Sequence, residues 1–261
     1  MRIALAQCVP GPRDVPGNLH RLDGFAAADT DLVVTPEMFL TGYAIGADAV
    51  RALAEPADGP SAAAVAALAR RHRTAVLYGY PESDGGQVFN AVALVGPDGS
   101  RLAGYRKTHL FGELDRAQFS PGADRPAVVE LDGWRLGLLI CYDVEFPEAV
   151  RDLALAGADA VLVPTANMTG YDRVPATLVP ARAYENQIYV GYANLTGAEA
   201  GLVYGGLSCV AGPDGADVAR AGRGEELLHA RLDRTALAAS RRENPFLADR
   251  RPELYRRLTG R

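Results

Sequence analysis

The sequence predicts an α/β fold, a layered sandwich of mixed sheets covered by helices. Three observations carry this. Apolar runs of strand length alternate with segments of helical spacing early in each half of the 261-residue chain. Hairpins then follow in each half around the same Gly-Pro-Asp-Gly turn, at 96–99 and 212–215. No linker, charge block or low-complexity segment divides the chain, so one domain over 1–261 is expected, with a C-terminal arm from about 235 to 261.

Taken in order, Arg2–Cys8 alternates as a first strand, and Val9–Pro16 is a proline- and glycine-rich loop. Leu19, Leu22 and Phe25 place a helix over Asn18–Ala28. Asp31–Val34 is a short strand that delivers Thr35-Pro36-Glu37, and Met38–Gly46 is a loop bearing aromatics and glycines. A short helix is predicted over Ala49–Ala54, broken by Glu55–Pro60, and Ser61 can cap the next helix, which runs to His72. Ala75–Gly79 and Val88–Val95 are strands; Arg101–Arg106 returns after the first Gly-Pro-Asp-Gly turn and delivers Lys107. Thr108–Gly122 is expected to be irregular. Ala127–Leu131 and Arg135–Ile140 form a hairpin around Asp132-Gly133, and Cys141 follows. Phe146–Ala156 is helical, with Gly157 as its stop. Asp159–Val163 is a strand ending in Pro164-Thr165-Ala166-Asn167, and Arg173–Asn186 is a helix kinked at Pro180. Strands at Ile188–Ala193 and Val203–Val210 precede the second Gly-Pro-Asp-Gly turn, and strand Glu226–Leu232 returns. The arginine-rich tail from Thr235 is a helical packing arm, broken at Asn244-Pro245 and Arg251-Pro252.

Composition excludes several functions. A net charge of −5 and a pI near 5.4 argue against nucleic-acid binding, and no basic run or long apolar run suggests a membrane. The opening Met1–Cys8 stretch has too short an apolar part for a lipoprotein signal. Three widely spaced cysteines make no disulfide framework or zinc pattern, and four scattered histidines show no metal spacing. A cytoplasmic protein without metal or cofactor is expected. Of 27 basic residues, only Lys107 is lysine. In a chain rich in Ala, Gly, Val, Asp and Pro, surface lysine is readily replaced by arginine. A retained lysine marks a place that needs a compact, deprotonatable ammonium, the alternative being chance retention at an exposed site.

Glu37, Lys107 and Cys141 each follow a strand. Strand ends on one side of a layered sheet converge on a crevice, so a carboxylate, an ammonium and a thiol would meet there as base, cation and nucleophile. A thiol with a pKa of about 8.5 is mostly protonated at neutral pH and needs a base or a positive field. The helix beginning near Pro147 would aim its positive end at Cys141. Cys8 and Cys209, within apolar strands, are expected in the core. His109 is expected to support the lysine loop, and Asp143 and Asn167 to hold loops by hydrogen bonds.

Three motifs in order make the sequence resemble the nitrilase superfamily of carbon–nitrogen hydrolases: Pro36-Glu37-Met38-Phe39 with Gly42-Tyr43; Tyr105-Arg106-Lys107-Thr108-His109-Leu110; and Cys141-Tyr142-Asp143 with Phe146-Pro147-Glu148. The later Ala181-Arg182-Ala183-Tyr184-Glu185-Asn186-Gln187 also resembles the family. The resemblance implies a four-layer αββα sandwich and a homodimer or larger homo-oligomer. It implies that Glu37 is the general base, that Cys141 attacks the substrate carbonyl to form a thioester, and that Lys107 and the Tyr142 N–H stabilise the oxyanion. It further implies a second site acid after the lysine motif. Glu113 and Asp115 both lie in that segment, and Glu113 is favoured.

Tyr142-Asp143 after the cysteine resembles amidase-like branches, whereas nitrile-cleaving branches usually continue with Trp-Glu. Members that bind a carboxylate often place arginine where this chain has Val144-Glu145. The resemblance therefore implies a small-molecule amide substrate, neutral or cationic, hydrolysed by water to acid and ammonia. Substrate-lining residues are expected in loops 38–46, 111–122 and 168–175, with Tyr43, Phe39 and Met168 as candidates and Glu145 on the wall. The alternatives are an N-carbamoyl amine hydrolase or a nitrilase, a catalytically silent relative that binds metabolites, and a redox-sensing thiol protein.

Overall fold

Ile3 and Leu5 alternate with Ala4 along the first strand, yet all three are buried, the mark of a strand covered on both faces. That pattern recurs through the chain. In the computed structural model, which describes residues 1–255 and 257, the first half comprises β1 (Arg2–Gln7), α1 (Val15–Ala26), β2 (Leu32–Val34), α2 (Ala47–Leu53), α3 (Pro60–His72), β3 (Ala75–Asp84), β4 (Gln87–Val95), β5 (Arg101–Arg106) and α4 (Gly112–Gln118). The rest comprises β6 (Val128–Leu131), β7 (Trp134–Leu138), α5 (Pro147–Leu155), β8 (Ala160–Thr165), α6 (Val179–Asn186), β9 (Tyr189–Asn194), β10 (Thr196–Glu199), β11 (Leu202–Gly205), β12 (Cys209–Ala211), β13 (Asp217–Arg220), β14 (Glu226–Arg231) and α7 (Arg234–Glu243). A 3-10 turn covers Cys141–Glu145 and a π-helical turn Val174–Leu178.

Two six-stranded mixed sheets result, ordered β14-β1-β2-β3-β4-β5 and β13-β12-β9-β8-β7-β6. Each has three parallel strands, β1-β2-β3 in one and β7-β8-β9 in the other, flanked by antiparallel neighbours. The two orders are the same plan, and the Gly-Pro-Asp-Gly turns join β4 to β5 and β12 to β13. Ile3, Leu5, Val34 and Leu77 of one sheet share a core with Leu136, Leu138, Val161 and Tyr192 of the other. On the outer side of the first sheet, Ala4, Val33, Val76 and Tyr78 pack against Leu22 of α1 and Val65 and Leu68 of α3. Val150 and Leu153 of α5 and Val179 and Ala183 of α6 join the core from the second sheet's side. The layers are therefore helix, sheet, sheet, helix.

Several boundaries differ from the sequence reading. α1 starts earlier because Asp14 caps it, its carboxylate accepting from Gly17 N at 3.0 Å. The segment 112–118, expected to be irregular, is a short helix. The strand expected over 203–210 is interrupted where Gly206 and Leu207 take positive φ, which leaves β10 and β11 as a separate hairpin. β14 does not return beside β12. β13 already occupies that edge, and β14 crosses to the other sheet to pair antiparallel with β1 from Arg2↔Arg231 to Gln7↔Glu226. Asp233 caps α7, which buries Leu237 and Ser240. Residues 256 and 258–261 of the predicted arm lie outside the described residues. Among the described residues, no helix is long and apolar enough to cross a membrane, and no group of His, Cys, Asp and Glu is placed to hold a metal.

Candidate active site

Glu37 is set by the way the chain leaves β2. Thr35 N donates to Leu77 O at 2.9 Å, and Leu40 N donates to Gly79 O at 3.1 Å, which binds the 35–40 segment across β3. The close pass requires glycine at 79, since a Cβ there would lie 2.6 Å from Met38 N and 2.8 Å from Pro36 O. Met38 then turns with φ 53°, sending its own side chain and that of Phe39 to different cores. Lys107 is set by the end of β5, where its N–H donates to Asn90 O of β4 at 2.8 Å. Cys141 opens the 3-10 turn with φ 48°, a left-handed conformation uncommon for a side-chain-bearing residue and recurrent at functional sites.

These elements bring the side chains together in one buried network. Lys107 Nζ donates to Glu37 Oε1 at 2.7 Å and to Asp115 Oδ2 at 2.6 Å, and all three side chains are fully buried. Glu37 Oε1 also accepts from Asn90 Nδ2 at 2.6 Å. Asp115 Oδ2 accepts from Phe111 N at 2.8 Å, and its Oδ1 accepts from the Tyr43 hydroxyl at 2.7 Å. Burying two carboxylates with one ammonium is costly unless the remaining lone pairs are met, and Asn90 Nδ2, Phe111 N and the Tyr43 hydroxyl meet most of them. The exception is Glu37 Oε2, which is buried without a partner. It is the free carboxylate oxygen of the pair, the position from which a carboxylate can take a proton; Asn90 Oδ1 is likewise buried without a partner.

The charges set the protonation states. Burial raises the Glu37 pKa, the Lys107 ammonium opposes this, and the Asp115 charge adds to it. Burial works against the Lys107 charge, but Glu37 and the other negative groups outweigh it and hold its pKa well above the ordinary lysine value. Burial and then the Glu37 charge push the Cys141 thiol upward, while Lys107, the Thr165 side chain and the Ala166 amide pull the other way. The resting thiol is therefore protonated, and its nucleophilic form needs a base at the moment of attack. Burial, with the Glu37 and Asp115 charges, also keeps Tyr43 a neutral phenol.

A second set of bonds joins the lysine loop to the cysteine turn. Asp143 Oδ1 accepts from Thr108 Oγ1 at 3.0 Å and His109 N at 3.0 Å, and lies 2.7 Å from His109 Nδ1. Its Oδ2 accepts from Tyr105 OH at 3.0 Å and Ile140 N at 3.1 Å. The His109 ring stacks on Phe146 at 3.9 Å. Behind the turn, Arg182 donates through Nε to Val144 O at 3.0 Å and through Nη2 to Glu145 O at 2.7 Å. Asn167 N donates to Asn194 Oδ1 at 2.8 Å, holding the 166–168 segment.

Of the residues named from sequence, Glu37, Lys107 and Tyr43 sit in the network, and the Cys141 thiol lies within the field of Glu37 and Lys107. Glu113 does not join them. Its side chain is 94% exposed and pairs with Arg116 on the outside of α4, so Asp115 holds the place expected for the second acid. On this short helix the two positions point to different sides. Phe39 lines no cleft: it packs at 6.2 Å from Phe25 in the core under α1 and α3. Met168 packs half-buried against the cluster of Met38, Tyr43 and Tyr204. The Tyr142 ring lies edge-on to Phe111 at 5.3 Å and to Phe146 at 4.9 Å, and Phe111 is edge-on to the exposed Tyr171 at 5.7 Å, forming an aromatic rim. Glu145 is half-buried, its carboxyl pushed up by burial against the pull of Arg182 and Lys107. Between Cys141 and α5, from which a positive end was expected, lies the 3-10 turn, which begins at Cys141 itself and ends before α5 starts. Its second residue, Tyr142, falls in the first turn, where backbone N–H groups lack intrahelical acceptors.

Sequence reasoning missed Asn90, which holds both Lys107 and Glu37. Its signal was an amide inside the apolar run Val88–Val95. It also left Arg182 and Glu199 without roles. A cleft of about 650 Å³ beside Tyr105, His109, Phe146 and Asp152 flanks the site without touching Glu37, Lys107 or Cys141. The buried network holds a carboxylate and an ammonium, with the Cys141 thiol within their field.

A family model described as carbon–nitrogen hydrolase matches residues 2–242. The chain is 57% identical to a protein described as a hydrolase in the pqqF 5′ region of Pseudomonas protegens, covering 100% of this chain and 93% of that one. It is 42% identical to an (R)-stereoselective amidase of a Pseudomonas species, covering 96% and 92%. The crystal structure of an amidase from Nesterenkonia sp. superimposes with a TM-score of 0.86 at 37% identity, covering 99% of this chain and 96% of that one. Mutants of that amidase have been solved in complex with acrylamide and with butyramide, and one shows Michael addition of acrylamide at its active-site cysteine.

Proposed function

The chain belongs to the carbon–nitrogen hydrolase family and is an amidase-like member of the nitrilase superfamily, and on that premise we propose that it hydrolyses a small neutral or cationic carboxamide to the acid and ammonia through a thioester on Cys141. The observation that carries the proposal is the unpartnered, buried Glu37 Oε2 in a network that also holds Lys107 and sits within the field of the Cys141 thiol.

Glu37 takes the thiol proton as sulfur attacks the amide carbon, and the carbonyl oxygen becomes an oxyanion. Lys107 Nζ and the Tyr142 N–H stabilise that charge, each fixed donor contributing on the order of 10²–10³ in rate. Glu37 returns the proton to the leaving nitrogen, the C–N bond breaks and ammonia departs. Glu37 then deprotonates a water that attacks the thioester carbon, and the C–S bond breaks to give the acid and the thiol.

Glu145 supports the choice of substrate, since a half-buried acid in the field of Lys107 and Arg182 disfavours a substrate carboxylate and tolerates an ammonium. The aromatic rim of Phe111, Tyr142 and Tyr171 gives an apolar acyl group a wall to pack on. We also propose a homo-oligomer, because Leu155, Tyr184, Phe246, Leu254 and Tyr255 are exposed large apolar side chains around α5, α6 and the C-terminal turn. Light scattering of the purified chain that gives a monomer mass removes that assignment.

The test of the reaction is intact-protein mass spectrometry during turnover of an amide panel containing neutral, ammonium-bearing and carboxylate-bearing acyl groups. An acyl adduct mapped to Cys141, absent in Cys141→Ala, is expected. Faster ammonia release from the carboxylate-bearing amides than from the others overturns the substrate assignment; an active Cys141→Ala overturns the mechanism.

A further inference from the structure

The β10–β11 hairpin contributes nothing to either large sheet, yet it ends on the catalytic network. Its tip is a tight turn at Ala200-Gly201 with positive φ at both residues, and its base is tied to Asn167 through Gly205 N at 2.9 Å. From the hairpin, Glu199 Oε2 accepts from Tyr43 N at 3.1 Å, Ala44 N at 2.6 Å and Tyr204 OH at 2.7 Å. Its other oxygen, Oε1, is buried without a hydrogen-bond partner and lies against the Cα of Gly42, where a Cβ would collide with it. Gly42 has φ +88°, so the loop presents two successive N–H groups to the carboxylate only with glycine at that position.

We propose that Glu199 is a positioning residue for the reaction, acting through Tyr43. Its carboxylate clamps the backbone of the 42–44 turn, which fixes the tyrosine ring so that its hydroxyl donates to Asp115 Oδ1; Asp115 in turn fixes the Lys107 ammonium beside Glu37. The hairpin thus sets the lysine from outside the core, through four groups joined by charge-assisted hydrogen bonds and one length of backbone. A carboxylate suits the task because one oxygen accepts three donors at once, which a neutral acceptor does less strongly. The Tyr43 and Tyr204 rings, edge-on at 6.4 Å, close the turn against the hairpin.

This inference rests on Cys141 being the nucleophile, so its test includes a readout independent of the substrate's identity. The rate of Cys141 alkylation by iodoacetamide, mapped by peptide mass spectrometry, is measured against pH in wild type, Glu199→Ala, Tyr43→Phe and the double variant, alongside kcat and KM on butyramide. Glu199→Ala is expected to lower kcat on the order of ten- to a hundred-fold with KM changed far less, and to displace the pH profile of alkylation. In the Tyr43→Phe background the same substitution is expected to have little further effect on either, because the hydroxyl through which it acts is gone. Glu199→Gln, which keeps an acceptor and the side-chain volume, is expected to recover part of the loss, and it replaces the alanine variant in the cycle should that fail to fold. Equal effects of Glu199 substitution with and without the Tyr43 hydroxyl, or a lowered melting temperature with unchanged kcat and alkylation profile, overturn the positioning role. A wild type in which Cys141 is no more reactive than the buried Cys8 overturns both this role and the proposed function.

Discussion

Replacing Asp115 by asparagine separates charge from shape at the centre of the buried network. In the wild type, Asp115 Oδ2 accepts from Lys107 Nζ at 2.6 Å and Phe111 N at 2.8 Å, and Oδ1 accepts from Tyr43 OH at 2.7 Å. An asparagine fits these partners in one orientation only. Its carbonyl oxygen faces Lys107 and Phe111, its amide faces Tyr43, and the phenol reverses to accept. The variant therefore loses one of the two carboxylates that hold the ammonium, and its bond to Lys107 becomes an ion–dipole bond in place of an ion–ion one. A shift of Lys107 by about 1 Å is worth on the order of a hundred-fold in rate. The pH profile should also move. Asp115 is one cause of the raised Glu37 pKa, so removing its charge lowers that pKa. The acid limb, where Glu37 gains a proton and ceases to be a base, moves to lower pH. Glu113→Gln is the matched control, since its 94% exposed side chain pairs only with Arg116. Its expected effect is within about 0.5 kcal/mol on stability, the usual range for a surface change, with no resolved change in kcat. Steady-state ammonia release across the pH range from an amide of the panel that the wild type turns over, with melting curves for folding, reads both variants. An equal loss in Glu113→Gln, or an acid limb moved to higher pH in Asp115→Asn, would refute the placement of Asp115 as the second acid.

Further expectations concern the groups around it. Lys107→Arg keeps the charge but forces a planar five-donor fork into a fully buried gap between Glu37 and Asp115, so ammonia release should fall on the order of 10²–10³-fold with the fold intact; near-normal kcat would show that charge alone suffices. Glu37→Gln should abolish turnover yet melt at or above the wild type near neutral pH. The folded Glu37 pKa is raised, first by burial, so its stabilising contribution is full below the unfolded value of about 4.3 and is lost as pH rises through the folded one. The gap between variant and wild type should close as pH falls toward that value, and a variant that melts lower at neutral pH contradicts the sign. Gly79→Ala places a Cβ 2.6 Å from Met38 N, so the backbone carrying Glu37 must shift; kcat should fall on the order of a hundred-fold, and unchanged kcat would show that the segment has room to move.

Much of the molecule was legible in the sequence. Continuous apolar strands such as Ala75–Gly79 reveal burial on both faces, because period-2 alternation disappears when each face meets a core. The repeated Gly-Pro-Asp-Gly turns reveal the shared plan of the two sheets, since turn chemistry is local. Lys107 stands out because composition bias removed every other lysine. These signals depend on a residue's own conformational preference or on the strand that carries it, and neither needs knowledge of distant parts.

Tertiary structure alone decided the rest. Glu113 and Asp115 share a segment and a charge; which one enters the network depends on the face that α4 turns toward the 43–45 turn, a matter of packing between elements some seventy positions apart in the chain. Phe39 lies two positions past Glu37 in sequence, but the left-handed turn at Met38 sends it under the helices while Tyr43, farther along, reaches Asp115. Of the hairpin bearing Glu199, β11 was hidden inside the strand expected over 203–210, because the positive φ at Leu207 that interrupts it opposes that residue's intrinsic preference, and β10 lay in the stretch before it that carried no strand signal. Motif residues announce which groups do chemistry, for their type is set by the reaction. The residues that aim them are set by the shape of the fold, which the sequence around them does not announce.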